Sequence, residues 1–503
     1  MTENYWFEQS PLPWLALLQL LPLAGAAVVY SLRERTVSVL VGRAFVVAEL
    51  LLAVMLYFGL DTASPALQFA EWIPLPGPFD YHAGADGVTV LFVLLSALLV
   101  LLLSIYSLVR ELADLGRLLA VILALEGVLM AQLVTVNLLW FVLASALEIS
   151  LIGYLLWFWA TSPEKDQMLA RFYQFQGTGL LLLLLGTLTV GWNFANATGG
   201  WSFDLIDLTG VPVVAAAAPV GFFLLFYGLG VRTPIFPLHG WLPVVAQHGN
   251  VAIAPAFLLG VKVGIYGMVR YVLPIHSEAV AEWQNFVVGF ATTGVFYAAL
   301  LAFLQTDLRR LLAFAVVSHT SLLVIGLFTL HPLGFQGSLL LTVNFGLAVT
   351  AMLFMTGFVY RRTGTTALNR LGGLFDRIPF IGLTFLVGGL AIIGMPGTPG
   401  FDAAHLVLEA SIEEFGALPT IAAALGNVIA AGFLLYAFQR AFLAPRPAGM
   451  GGTVERASAM ELLIVFVLVT VLLAAGFYLE PWLRLVETPL DTLVTNFGEG
   501  GHP

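Results

Sequence analysis

Three proton-carrying side chains stand alone inside long apolar runs. Glu148 lies in LLWFVLASALEISLIGYLLWFWA, Lys262 in APAFLLGVKVGIYGMVR and His319 in LLAFAVVSHTSLLVIGLF. A charge at the centre of a membrane span costs at least ~2.5–3.5 kcal/mol, so each needs a reason to be there. Glu148 is expected to hold a proton or sense a field; the alternative is an ion pair tying helices together, and no cation lies near it in sequence. A buried lysine gives up its proton more readily than an exposed one, which suits Lys262 to a relay; otherwise its stem must climb two turns to reach water. His319 could pass protons through an imidazole that titrates near neutrality, or could simply be hydrogen-bonded between helices.

A second group follows further on. Asp402, His405 and Glu409 share one helical face, which suits a hydrated exit path, although residues capping a half-helix would look the same. Glu126 (LALEGVLM) is buried by position without an obvious partner. His239, His248 and Asn344 are accessory candidates, and Arg43 and Glu49, six apart in one run, are read as neutralising one another with help from other helices.

The elements that must position these groups are membrane helices. The chain has 503 residues, 60% hydrophobic and 10% charged, where a soluble domain carries about a quarter charged. The runs fit fourteen spans: 12–31, 37–59, 87–108, 117–135, 137–160, 172–192, 213–232, 250–273, 284–304, 310–330, 336–360, 379–413 (interrupted), 417–442 and 459–478. The acidic, aromatic start MTENYWFEQ is not that of a cleavable signal peptide. Arg33, Arg35, Arg110, Arg117, Lys165, Arg171, Arg309, Arg310, Arg361, Arg362, Arg370, Arg377, Arg440, Arg446 and Arg456 all fall on one set of alternate loops. Positive loops stay inside, so both termini are expected outside, in a bacterial inner membrane. No loop is long enough for a soluble domain, so residues 1–503 form one membrane domain.

Two spans are broken. The seventh ends in VRTPIFPLHGWLP (231–243), with Arg232 and His239 beside three prolines, and the twelfth carries GMPGTPGF, with Pro396, Gly397, Pro399 and Gly400. Proline removes a donor and frees carbonyls, which is tolerated at membrane depth only against protein or a water-filled cavity. The breaks lie five spans apart. Spans 4–8 (117–273) and 9–13 (284–442) are therefore expected to be inverted repeats with ion sites near the midplane. The fold class is an all-α polytopic membrane protein.

Other chemistry is excluded or left to partners. With no cysteine there is no disulfide, thiolate metal site or iron–sulfur cluster. No glycine-rich phosphate fingerprint follows a strand, and the net charge of -10 includes no basic nucleic-acid stripe. No cofactor and no catalytic site are expected in this chain, so any coupled redox chemistry belongs to another subunit.

Several segments carry a family resemblance: YHAGADGVTVLFVLLSALL (81–99), LEGVLMAQL through LEISL (125–151), VRTPIFPLHGWLP, KVGIYGMVR (262–270), QTDLRRLLAFAVVSHTSLLVIG (305–326) and MPGTPGF (395–401). They resemble the antiporter-like, proton-translocating membrane subunits of complex I (NADH:quinone oxidoreductase) and of Mrp cation/proton antiporters. The same family supplies subunits of membrane hydrogenases and of an inorganic-carbon uptake complex with a zinc-containing, carbonic-anhydrase-like partner. The resemblance implies that Glu148 is the fifth-span glutamate, Lys262 the central lysine and His319 the relay histidine. It also implies departures. The lysine that pairs with the glutamate is here Arg232, a second histidine is replaced by Asn344, and the exit position is Ala404, flanked by Asp402 and His405. The chain also ends soon after its last span, without a long lateral helix. Three functions follow: a proton-conducting subunit of a complex I-type machine, an energy-coupling subunit for carbon dioxide hydration or ion exchange, or a scaffold that no longer conducts.

Overall fold

In lipid a backbone without water must satisfy its own polar groups, so apolar runs of this length form helices. The computed structural model describes residues 2–33, 35–160, 162–250, 254–447 and 454–497. The first of the expected spans are α1 (Trp14–Ser31), α2 (Val37–Gly59), α3 (Gly87–Val109), α4 (Leu115–Val134), α5 (Leu138–Trp159) and α6 (Lys165–Thr198). The seventh is α7 (Ala218–Arg232); beyond a break, and outside the bounds expected for that span, follows α8 (Leu242–His248). The eighth is α9 (Ala254–Gly267), prolonged by a π-helical turn, Met268–Val272; the start expected for it at 250 runs into residues 251–253, outside the described residues. Then come α10 (Ser277–Phe303), α11 (Leu308–Leu327), α12 (Pro332–Thr363), the broken pair α13 (Pro379–Ile392) and α14 (Pro399–Phe415), α15 (Ala417–Phe438) and α16 (Ala459–Phe477).

Among the described residues eleven helices are long and apolar enough to cross a membrane. At the seventh, eighth and twelfth expected positions stand shorter helices, which do not reach that length. Burial sorts the bundle: α11 and α12 are 94% buried along their apolar stretch, whereas α16 is 28% and α1 and α2 are 33% buried. The first two form the axis and the others the rim. Leu20, Leu40, Phe58, Leu181 and Phe466 project outward. So continuous an apolar surface belongs in lipid, and the chain is a multi-pass membrane protein.

Local caps set where the inner helices begin. Asp86 accepts from the Thr89 amide (2.9 Å) to start α3, Asn137 from Leu139 (3.0 Å) to start α5, and Asp307 from Arg309 (2.9 Å) to start α11. The segment before α3 carries a small three-stranded sheet. β1 (Glu3–Tyr5) runs parallel to β2 (Leu67–Ile73), and β2 is antiparallel to β3 (Tyr81–Ala85). A short amphipathic helix near the C-terminus, α17 (Glu480–Val494), buries Leu485, Val486, Leu490 and Leu493 against α3 and α12. Thr488 of α17 donates to the Thr62 carbonyl (2.8 Å), so both ends of the chain meet on one face, the terminal face.

Candidate functional site: a buried line of ionisable groups

At its first end, Arg232 closes α7 with its side chain buried, and a break follows immediately. Pro234 has no amide to give, so Ile235 bonds the Gly230 carbonyl (3.1 Å) and the Trp241 indole bonds that of Val231 (2.9 Å). The guanidinium thereby points inward. It ion-pairs with Glu148 of α5 and also donates to Ser145 Oγ (2.6 Å) and to Gln132 Oε1 on α4 (2.9 Å). Gln132 returns a bond from Nε2 to Glu148 Oε2 (2.8 Å). Three helices are stitched around one ion pair. A cavity of about 20 Å³, bordered by Glu148, Arg232 and Gln176, is large enough for a water molecule.

The second oxygen of Glu148 faces Gly260 of α9, where an added Cβ would lie 2.3 Å from it. Glycine is needed there for the carboxylate to approach the helix that carries Lys262. Among the described residues no carboxylate pairs with Lys262. Its stem runs past Gly346 of α12, and its ammonium lies 5.9 Å from the Phe345 ring. Lys262 and His319 border a common cavity of about 10 Å³, room for a single water. His319 Nδ1 donates to the Ala315 carbonyl (2.8 Å), which leaves Nε2, buried and unpartnered, to accept. The imidazole meets Phe345 edge-on at 4.8 Å. The neighbouring Asn344 donates from Nδ2 to the Ala391 carbonyl at the end of α13 (2.9 Å), while its Oδ1 is unpartnered. Beyond it the chain turns through Gly394 (φ 75°) and Gly397 (φ 88°), a left-handed backbone that favours glycine.

Glu148, Arg232, Lys262, His319 and Asn344 thus form one line through the centre of the bundle. Other candidates fall outside it. His405 and Glu409 are exposed on α14 and Asp402 is half-buried, whereas the buried face of that helix is Ala403, Ala404, Val407 and Ala410. His239 packs among Phe236, Tyr297 and Phe314 beside the first break. His248, at the end of α8, contacts Ser162 (3.0 Å) and Glu164 (3.2 Å) on the face bearing the basic loops. Arg43 and Glu49 do not neutralise one another: both Glu49 oxygens and Arg43 Nε and Nη2 are buried without a partner. Six residues is about one and two-thirds helical turns, which sends the two side chains in different directions.

Sequence reasoning missed the supports. Gln132, Ser145 and Gly260 position Glu148; Ser145, three residues before Glu148 on the same face, was a readable signal. It also missed the fork of Arg270, in the π-helical turn, on Asp86 (2.9 and 2.8 Å) and Thr89 (2.7 Å). On the terminal face His82 of β3 lies between Asp204 (2.5 Å) and Glu3 (2.6 Å). Burial opposes its charge, but the two carboxylates prevail and raise its pKa from 6.5 to about 9. Among the described residues, no group of three or more His, Asp or Glu could hold a metal ion.

The model of the transmembrane family NADH:quinone oxidoreductase/Mrp antiporter matches residues 135–430, which include the whole line from Glu148 to Ala391. The chain belongs to this family. As an antiporter-like subunit it is 28% identical over 538 residues to NADH-quinone oxidoreductase subunit M of Mycobacterium tuberculosis, covering 97% of this chain and 95% of the relative. A chain of respiratory complex I from Thermus thermophilus superposes with a TM-score of 0.87 at 27% identity, over 96% of this chain and 100% of that one. A chain of the Mrp complex from Dietzia sp. shares the fold of this antiporter-like subunit, with a TM-score of 0.86 at 18% identity over 96% and 97% of the two chains.

Proposed function

We propose that this antiporter-like subunit moves protons across the membrane through Lys262 and His319, on the buried line anchored by the Glu148–Arg232 ion pair, within a larger complex of the complex I type. The observation that carries the reading is the distribution of counter-charges. Arg232 cannot act as a proton carrier, because a guanidinium does not deprotonate in proteins. It is therefore the fixed counter-charge of Glu148. Lys262 has no such partner among the described residues and shares a water-sized cavity with His319. A water there could accept a proton from the ammonium and give one to Nε2. In this reading 117–273 and 284–442 are inverted repeats meeting at the line, the terminal face is external, and the membrane is a bacterial inner membrane. The relatives above belong to respiratory and antiporter complexes. The inorganic-carbon alternative, with its zinc partner, keeps only Arg232 and Asn344 in its favour. A non-conducting scaffold would have no reason to keep an unpaired lysine at the bundle axis.

The test is Lys262→Ala in the assembled complex reconstituted in vesicles. Proton uptake should fall about 10²-fold or more, the scale of losing a positioned acid–base group, while assembly is retained. Undiminished uptake in an assembled variant would exclude this role.

A further inference from the structure

Away from the line, α2 and α4 bring a second pair of ionisable groups into the protein interior. Glu49 of α2 and Glu126 of α4 are both fully buried, and none of their four carboxyl oxygens has a hydrogen-bond partner among the described residues. α2 and α4 pack directly against each other, and Glu49 is the ionisable group set toward Glu126. Two elements packed against α4 carry cations, Lys262 on α9 and His82 on β3, and among the described residues neither pairs with Glu49 or Glu126. Neither α1 nor α3 carries a charged side chain. Arg117 of α4 is engaged by Asp114 (3.0 Å), and the only charge on α5, Glu148, is held by Arg232. Arg43, the one cation on α2, makes no ion pair with either glutamate, and its Nε and Nη2 are themselves unpartnered.

Two like charges close together in a dry interior, with neither cation nor donor, cannot both persist. We infer that Glu49 and Glu126 form a proton-binding site separate from the Glu148–Lys262–His319 line, holding at least one proton between them at neutral pH. A neutral carboxyl is a donor and a carboxylate an acceptor, so one proton satisfies both partners. The ligand is the proton itself; a monovalent metal cation would instead require both groups ionised. The site lies on the helix that also carries Gln132, so it is a side branch beside the fixed ion pair.

Infrared spectroscopy of the intact complex tests this. The wild type at neutral pH should show the carbonyl stretch of a neutral carboxylic acid. Glu49→Gln and Glu126→Gln, which are isosteric, should each shift this band, and the double variant should lose it. Lys262→Ala should keep it while losing proton uptake, which separates this site from the proposed relay. A wild type without the band overturns the inference however the variants fold. So does a band unchanged in the double variant, or one abolished by adding sodium, which would make the pair a cation site.

Discussion

Replacing Arg232 with lysine keeps the charge and removes the fork, so it separates two roles that the ion pair could serve. If a positive charge near Glu148 were all that mattered, Arg232→Lys would largely preserve function. The geometry argues otherwise. The guanidinium uses Nη1 for Ser145 and Nη2 for both Gln132 and Glu148. A lysine nitrogen ends one bond short of either terminal nitrogen and radiates its donors from a single point. It can keep the carboxylate or the Ser145 and Gln132 contacts, not all three. Losing one hydrogen bond to a charged group costs about 1.5–3 kcal/mol, which is about 10- to 100-fold in the population of the assembled geometry. Arg232→Ala, which strands Glu148 as an uncompensated buried charge, should cost more, about 3–5 kcal/mol. Proton uptake by the reconstituted complex and its thermal stability should therefore rank wild type above lysine above alanine. A lysine variant equal to wild type in both measurements would refute the multidentate role; an alanine variant equal to wild type would leave the break to be explained by packing alone.

Gly260→Ala should displace the Glu148 carboxylate and reduce proton uptake, with overpacking costing about 1–3 kcal/mol. Gly289→Ala, where an added Cβ meets nothing within 4 Å, is the control, and equal behaviour of the two would count against the close approach. Glu148→Gln should impair uptake far more than Glu126→Gln, because it leaves Arg232 buried without its carboxylate; equal losses would remove the distinction. His82 has a folded pKa of about 9, above its ordinary 6.5, so its contribution to stability is full below pH 6.5 and is lost as pH rises through 9. The melting temperature of the wild type should fall across that window, and His82→Gln should flatten the change; identical pH profiles would exclude a stabilising pairing of His82 with Asp204 and Glu3.

The helices and their two breaks could be read from sequence because both signals are local: an apolar run long enough to span, and prolines that free carbonyls inside it. Glu148, Lys262 and His319 could be read because an ionisable group in an apolar run is conspicuous by its cost. What could not be read depends on which faces meet. Gln132 looks like any polar residue near a helix end, and Gly260 like any small one, until α4, α5 and α9 converge on the same carboxylate. The terminal-face sheet escaped notice because its strands are short and separated by turn residues. Asp402, His405 and Glu409 share a helical face, but helical spacing does not say which face turns inward, and here Ala403, Ala404 and Val407 do.

Apart from the Glu49–Glu126 pair, the ionisable groups of the interior discussed above fall into two kinds, and that division is the strongest physical argument for the proposed relay. Three arginines with buried side chains are each committed to a carboxylate: Arg232 to Glu148, Arg270 to Asp86 and Arg362 to Glu461, the last through two bonds of 2.9 and 2.6 Å. An arginine stays charged, so each of these pairs is a permanent feature of the bundle. Lys262 and His319 are the reverse case, buried on the line without an ion-pair partner among the described residues and built from groups that can change protonation state. Moving a proton between them separates no ion pair. Moving one through Arg232 would require a guanidinium to do what it does not do in proteins. In the proposed function, Arg232 therefore leaves proton carriage to Lys262 and His319 and makes the Glu148 end of the line a fixed electrostatic anchor.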